Sequence, residues 1–205
     1  MSAGRRRAES SGPGVRIGAL ATVAGLAVLT GCGGGSDATT VTGSCAMDAK
    51  TYAKVSPLSA ADLEALLGKG SYRVEGNVRP GSDGVPDAGE CSYARADKPD
   101  ELLLQVGVNR QTDLFSSYDE SRTLQSSGKA TPIEGADGYV VPDPGSGPGS
   151  GNHGPLAVVF GDGHRMVTLH LVQDRPSVSD RSMNSRLARA GKHAAQALGR
   201  PMQRH

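Results

Sequence analysis

An apolar run at residues 17–29, preceded by four arginines, limits how much of this 205-residue chain can fold as a domain. As a helix, the run of about 13 residues would be roughly 20 Å long, short of the roughly 30 Å hydrocarbon core of a bilayer. It is therefore typical of a cleaved export signal and not of a permanent transmembrane helix. We expect residues 1–31 to be removed, and the remaining 174 residues of 205 are enough for one domain with a genuine core.

The residues directly after this run, Leu29-Thr30-Gly31-Cys32, resemble the bacterial lipobox. The resemblance implies that signal peptidase cuts between Gly31 and Cys32 and that the thiol of Cys32 carries a diacylglyceryl group. Two acyl chains anchor a protein stably, at about 0.8 kcal/mol per buried CH2, whereas one chain holds it only marginally. The alternative is an ordinary secretory leader with a chance cysteine near its cleavage site. We expect an extracytoplasmic protein attached to the cell membrane by a lipid anchor on Cys32.

With Cys32 taken by lipid, Cys45 and Cys91 are an even pair in an exported chain, which favours a disulfide. On the chain-entropy model, a bridge that closes a loop of roughly 47 residues stabilises the fold by about 4 kcal/mol. A redox-active or metal-binding pair is the alternative, but the cysteines of such sites usually lie close together in sequence. We therefore predict a Cys45–Cys91 disulfide.

The charge distribution argues against nucleic acid as a partner. The whole chain carries +1 and the leader contributes +3, so residues 32–205 carry −2 and have no general attraction for a polyanion. The last 30 residues nevertheless hold six basic side chains and one acidic side chain. Those near the C-terminus could contact anionic lipid headgroups, at about 1 kcal/mol each, or form the solvent-exposed face of a helix packed on a sheet. They are Arg181, Arg186, Arg189, Lys192 and Arg200.

The composition divides the exported part into a tether and one domain. Residues 32–44 contain little that could be buried and are predicted to be a flexible tether, and residues 45–200 are predicted to be a single α+β domain. A capping-box-like start predicts a helix over 59–68, a second helix is predicted from Thr112 to near Gly128, and a third is predicted over about 179–198. The third helix has an apolar stripe that should face the sheet: Met183, Leu187, Ala190, Ala194 and Leu198.

Alternating or continuous apolar segments predict six short strands. They are residues 72–78, 91–95, 102–108, 139–141, 156–160 and 165–172. Turns are predicted at Lys98-Pro99-Asp100 and at Gly161-Asp162-Gly163, and residues 142–155 are predicted to be a mobile Gly/Pro loop. Because strands and helices do not alternate regularly, we expect an antiparallel sheet of about five to six strands with about three helices, the last packed on the sheet.

The order of these features resembles the actinobacterial lipoproteins that carry domain of unknown function 3558. The matching features are Cys32, Cys45, Leu66-Leu67-Gly68, Cys91-Ser92-Tyr93, Gly135-Ala136-Asp137-Gly138-Tyr139 and the alanine-rich final helix. The resemblance spans most of residues 45–199. It implies a fold and a location, but no activity and no catalytic residues.

Motif searches identify no catalytic constellation. Residues 149–154 satisfy G-x-G-x-x-G, but Pro155 and a strand follow where a dinucleotide site needs a helix. The histidines are interpreted as surface side chains, and His164 and His170 lie too far apart along a strand to share one metal ion. Asp83, Asp87 and Glu90 could coordinate calcium, but their spacing is not that of an EF-hand and a solvated loop is the preferred interpretation. We predict no metal, no cofactor and no catalytic residue.

Two classes of function are compatible with these observations. The preferred one is a non-enzymatic binding or sensory module of the cell envelope, with an unidentified envelope ligand or protein as its partner. The alternatives are an extracytoplasmic hydrolase that acts on cell-wall or lipid substrates, and a carrier of an apolar ligand. An apolar cavity would favour a carrier, whereas ionisable groups converging in a cleft would favour catalysis.

Overall fold

The computed structural model describes residues 38–47, 50–110, 117–126, 128, 130–141, 154–172 and 180–205. The leader, Cys32 and residues 142–153 of the predicted loop lie outside these ranges. Ser36–His205 forms one compact unit. Its elements are β1 (Thr40–Ala46), α1 (Ala60–Leu67), β2 (Ser71–Pro80), β3 (Pro86–Arg95), β4 (Lys98–Arg110), α2 (Ser117–Ser126), β5 (Thr131–Pro132), β6 (Gly138–Val141), β7 (Leu156–Gly161), β8 (Arg165–Leu171) and α3 (Asp180–Leu198). None of the described helices is long and apolar enough to cross a membrane.

The described strands form one sheet in the order β1-β2-β3-β4-β8-β7-β6-β5. The α+β class is confirmed, but the prediction of five to six antiparallel strands is wrong: the sheet has eight strands and is mixed, because β1 runs parallel to β2. The two strands that were missed are at the sheet edges. β1 is mostly polar and its first five residues lie in the segment 32–44 that is predicted to be a tether, and β5 has only two residues, one of them Pro132. A strand with a neighbour on one side only buries little, so it shows little periodicity.

One face of the sheet carries the main apolar core. Val167 and Leu169 of β8 belong to the same buried cluster as Leu187 and Ala194 of α3, and α1 contributes its leucines to this cluster. α3 contacts β6, β7 and β8, which confirms that the last helix packs on the sheet. Its close approach depends on Gly191, where an added Cβ would lie 3.3 Å from the Ala157 side chain.

The helix α1 has the ends that its sequence predicts. Ser59 is its N-cap: the Ser59 hydroxyl accepts a hydrogen bond from the Asp62 backbone N–H, and Asp62 accepts one from the Ser59 backbone N–H. The helix ends at Gly68, whose φ of 90° lies in the left-handed region that favours glycine. The first predicted helix is therefore confirmed.

The opposite face of the sheet has a smaller apolar cluster covered by α2. Tyr118 packs edge-on against Phe160 of β7, with ring centroids 5.0 Å apart. The Arg122 guanidinium lies 3.7 Å from the centre of the Phe160 ring and donates two hydrogen bonds to Asp137, at 2.7 and 2.9 Å. The second predicted helix is present as Ser117–Ser126, whereas its predicted start at Thr112 lies outside the described residues.

The Cys45–Cys91 disulfide is present and joins β1 to β3 across the intervening strand β2. Cys91 pairs in register with Gly76 of β2, so the bridge passes directly over that glycine. A Cβ on Gly76 would lie 2.8 Å from the sulfur of Cys45 and would collide with the Glu90 carbonyl oxygen. Glycine is therefore the residue that this crossing requires.

The two predicted turns differ in outcome. The β7–β8 hairpin is confirmed, with Gly163 and His164 both at left-handed φ values of 62° and 57°. The β3–β4 turn lies at residues 96–97, and Lys98-Pro99-Asp100 is already part of β4. Pro99 is tolerated because β4 pairs with β8 only from Leu104 onward, so the proline nitrogen faces no second neighbour.

Candidate functional site

A groove of about 670 Å³ lies between α3 and the edge of the sheet formed by β5 and β6. Its volume is within the range of roughly 300–1,000 Å³ typical of small-molecule sites. The sheet side contributes Thr131, Pro132, Ile133, Glu134 and Val140, and the helix side contributes Arg181, Asn184, Ser185, Ala188, Arg189, Lys192 and His193.

The helix side of the groove follows from the spacing of its residues. Arg181, Asn184, Ala188 and Lys192 recur at intervals of three and four residues, so they share one side of α3. This side adjoins the apolar stripe that holds α3 on the sheet. The groove therefore has a rigid wall, because the same helix is fixed by its buried stripe.

The sheet side supplies apolar surface. Ile133 and Val140 are buried members of the main core that also line the groove, at 4% and 1% relative exposure. Ala188 packs against the same cluster from α3. The groove therefore lies over buried core side chains, its accessible apolar surface comes from Pro132 and Ala188, and its rim is polar and charged.

The charge on the rim is predominantly positive. Arg181 and Arg189 are exposed, and no carboxylate of the described residues lies within ion-pair distance of either guanidinium. Lys192 differs, because its Nζ donates a hydrogen bond to the Glu134 carbonyl oxygen at 2.9 Å. Glu134 is the acidic residue of this lining. The groove thus presents three cations and one carboxylate, with His193 in addition.

His193 on α3 pairs with a buried carboxylate of α1. Its Nδ1 lies 2.7 Å from Oδ1 of Asp62 on α1, and the Asp62 side chain is 7% exposed while that of His193 is 48% exposed. The other oxygen of Asp62 is held by the backbone and hydroxyl of Ser59. A buried carboxylate that binds Nδ1 fixes the imidazole ring and leaves Nε2 available, which is the arrangement of a His–Asp dyad.

Sequence reasoning missed this dyad and the sheet side of the groove. The sequence predicts His193, like the other histidines, as a surface side chain, and Asp62 lies in the capping-box-like start of the helix predicted over 59–68. The two residues are 131 positions apart, and a polar pair at such a separation leaves no local pattern. The basic residues of α3 were singled out, but nothing in residues 131–134 pointed to the opposite wall.

The histidines and acidic residues discussed below that the structure describes do not line this groove. Cys32 and His153 are outside the described residues. His164 stacks on Tyr118 on the α2 side of the sheet, and His170 is half-buried beside Gln105, where burial lowers the pKa of its imidazole. Asp83 is paired with Arg110 at 2.9 Å. Within the described ranges no group of three or more His, Cys, Asp or Glu side chains could hold a metal ion.

Comparison with known proteins yields no matching family model, no similar curated protein and no similar solved structure. The groove and the dyad therefore have to be interpreted from their own chemistry.

Proposed function

We propose that this protein is a non-enzymatic binding module of the cell envelope, held outside the cytoplasmic membrane by lipid on Cys32, and that its ligand occupies the groove between α3 and β5–β6. The observation that supports this function best is the combination of accessible apolar surface with arginines that have no carboxylate partner among the described residues. The proposal includes membership of the lipoprotein family with domain of unknown function 3558.

A preformed wall supports binding because a rigid site loses less entropy when a ligand binds. α3 is fixed at several points besides its apolar stripe. Arg186 donates to the Ala65 carbonyl oxygen at the end of α1, at 3.1 Å. Arg165, which is largely buried, donates to the Leu198 carbonyl oxygen at the C-terminus of α3, at 2.5 Å. These contacts hold the helix side of the groove in place without using Arg181 or Arg189.

The binding function is tested by identifying what the protein carries. Full-length protein is purified from its own envelope and compared by native mass spectrometry with Ala188→Phe, which places a ring in the groove. Ala61→Phe is the matched control, because Ala61 is an exposed helical alanine of α1 outside the groove. We expect a ligand on the wild type and on Ala61→Phe that is absent from Ala188→Phe. An equal load on both variants, or no ligand on any form, would contradict the proposal.

The lipid anchor is tested separately by metabolic labelling with palmitate. The wild type should incorporate label and remain in the membrane fraction. Cys32→Ala should incorporate none, and Cys45→Ala/Cys91→Ala should label normally. Label retained by Cys32→Ala would refute the anchor.

A second candidate function is an extracytoplasmic hydrolase, which the Asp62–His193 pair favours. In that case Nε2 of His193 would take a proton from a water molecule as its oxygen attacks an ester carbon of the bound ligand, and the cations on the rim would stabilise the developing anion. The imidazolium would then return the proton to the leaving alkoxide as the ester C–O bond breaks. The groove ligand, once identified, would then be converted to product, and His193→Gln would abolish turnover while the ligand still binds. A ligand that is released unchanged from the wild type excludes this alternative.

A further inference from the structure

We infer that the groove accepts one molecule of an anionic amphiphile, in which a phosphate or carboxylate head is joined to a single apolar chain. This inference rests on the proposed function and specifies its ligand. The head would contact Arg181 and Arg189, and the apolar chain would lie against Pro132 and Ala188, which expose apolar surface to the groove.

The basic side chains of α3 divide into two groups, and this division supports an anionic head. Arg186, Lys192 and His193 each bond to a carbonyl oxygen or a carboxylate of the protein itself. Arg181 and Arg189 have no such partner among the described residues, and both line the groove. Guanidinium groups bind phosphate and carboxylate through paired hydrogen bonds, so these two residues are suited to an anion.

The apolar surface of the groove argues against a small inorganic anion as the whole ligand. Such an ion would satisfy the arginines but leave the exposed ring of Pro132 and the partly exposed methyl group of Ala188 facing water. An apolar chain would remove that surface from water, which is favourable. The recognised molecule therefore combines both chemistries.

The shape of the site favours a single molecule over the surface of a bilayer. Two walls, one from α3 and one from β5–β6, enclose a concave volume of about 670 Å³. A concave site surrounds an individual ligand, whereas a flat membrane surface would reach only its rim.

The test uses the compact unit Ser36–His205, which contains every described helix and strand and both apolar clusters. Circular dichroism and a mass consistent with the Cys45–Cys91 bridge verify its fold. The probe is dodecyl phosphate below its micelle concentration, measured by isothermal titration calorimetry. Inorganic phosphate, dodecyl maltoside and vesicles of phosphatidylglycerol and phosphatidylcholine are the comparison ligands.

We expect dodecyl phosphate to bind more tightly than each comparison ligand, and its affinity to fall as salt is raised. The double variant Arg181→Gln/Arg189→Gln should weaken its binding about tenfold or more, because charge-assisted hydrogen bonds are lost. Arg79→Gln/Arg200→Gln removes the same charge from two exposed arginines outside the groove and should bind as the wild type does.

The outcomes separate this inference from the proposed function. If dodecyl maltoside binds as tightly as dodecyl phosphate, and Ala188→Phe abolishes both, the groove is a binding site but the anionic ligand class is wrong. Equal loss of affinity in the two arginine double variants, or preferred binding to anionic vesicles, also overturns the ligand class. Binding of no ligand, together with no ligand on the envelope-purified protein, refutes the proposed function itself.

Discussion

Replacing both cysteines of the disulfide, as Cys45→Ala/Cys91→Ala, should lower the free energy of unfolding by about 4 kcal/mol. The bridge closes a loop with a sequence separation of 46 residues, and the chain-entropy model gives this value for a loop of that length. Single domains are stable by about 5–15 kcal/mol, so the loss would be a large part of the total. The bridge also joins two strands that are not neighbours, so its removal leaves β1 held by its parallel pairing with β2 and by local contacts.

The assay is equilibrium urea unfolding followed by far-ultraviolet circular dichroism, on oxidised, reduced and cysteine-free Ser36–His205. With a slope of roughly 2 kcal/mol per molar urea, the midpoint should fall by about 2 M. Reduced wild type and the cysteine-free variant should behave alike. A loss below about 1 kcal/mol in both would refute the reasoning, because the entropy of loop closure would then contribute almost nothing. Free thiols on Cys45 and Cys91 in the untreated protein, detected by mass spectrometry, would refute the bridge.

Three further predictions concern single positions. Gly76→Ala should lower the free energy of unfolding by at least about 2 kcal/mol. The loss should persist in the cysteine-free variant, because the Glu90 carbonyl oxygen still blocks a Cβ at position 76. Full recovery of stability in the cysteine-free variant would contradict this prediction. Arg122 holds the pKa of Asp137 below its ordinary value, so their pairing stabilises α2 above about pH 4 and is lost as the pH falls through the folded-state pKa. Asp137→Asn should speed amide hydrogen exchange in α2 at neutral pH. The loss of unfolding free energy should stay below about 1 kcal/mol, because the ion pair is partly exposed. Unchanged exchange would refute the role of the pair. Burial raises the pKa of Tyr93 from 10 to about 12, so the folded state should lose roughly 3 kcal/mol of stability as the pH rises from about 10 to 12. Tyr93→Phe lacks this loss, so the amount by which its unfolding free energy falls below that of the wild type should shrink over the same interval in urea unfolding. A difference that stays constant with pH would contradict the prediction.

The elements that the sequence predicted correctly are those whose burial repeats regularly. The leucines of α1 and the apolar stripe of α3 recur at helical spacing, and β2 alternates buried and exposed residues along Tyr72, Val74 and Val78. On such an element the residues of one face share the same degree of burial, so the spacing of apolar residues in the sequence predicts the type of element. The Ser59 cap and the cysteine pair can also be predicted from sequence, because a helix N-cap and a disulfide each require particular residue types.

Only the helix side of the candidate site could be predicted from the sequence. The basic residues of α3 can be picked out from their charge, although charge alone does not distinguish Arg186, which binds α1, from Arg189, which lines the groove. That distinction depends on the direction of each side chain relative to α1 and β5. Most of the sheet wall comes from the two-residue strand β5 and the two residues that follow it, and this stretch has no sequence signature of its own.

The sequence by itself determined the α+β class, the positions of the longer elements and the pairing of Cys45 with Cys91, because each depends on local periodicity or on the chemistry of a residue type. The tertiary structure alone decided that β1 runs parallel to β2, that Asp62 meets His193, and that α3 forms a groove with β5–β6. These features depend on contacts between segments far apart in the chain. Such contacts are selected by how the whole core packs, and no short stretch of sequence records that outcome.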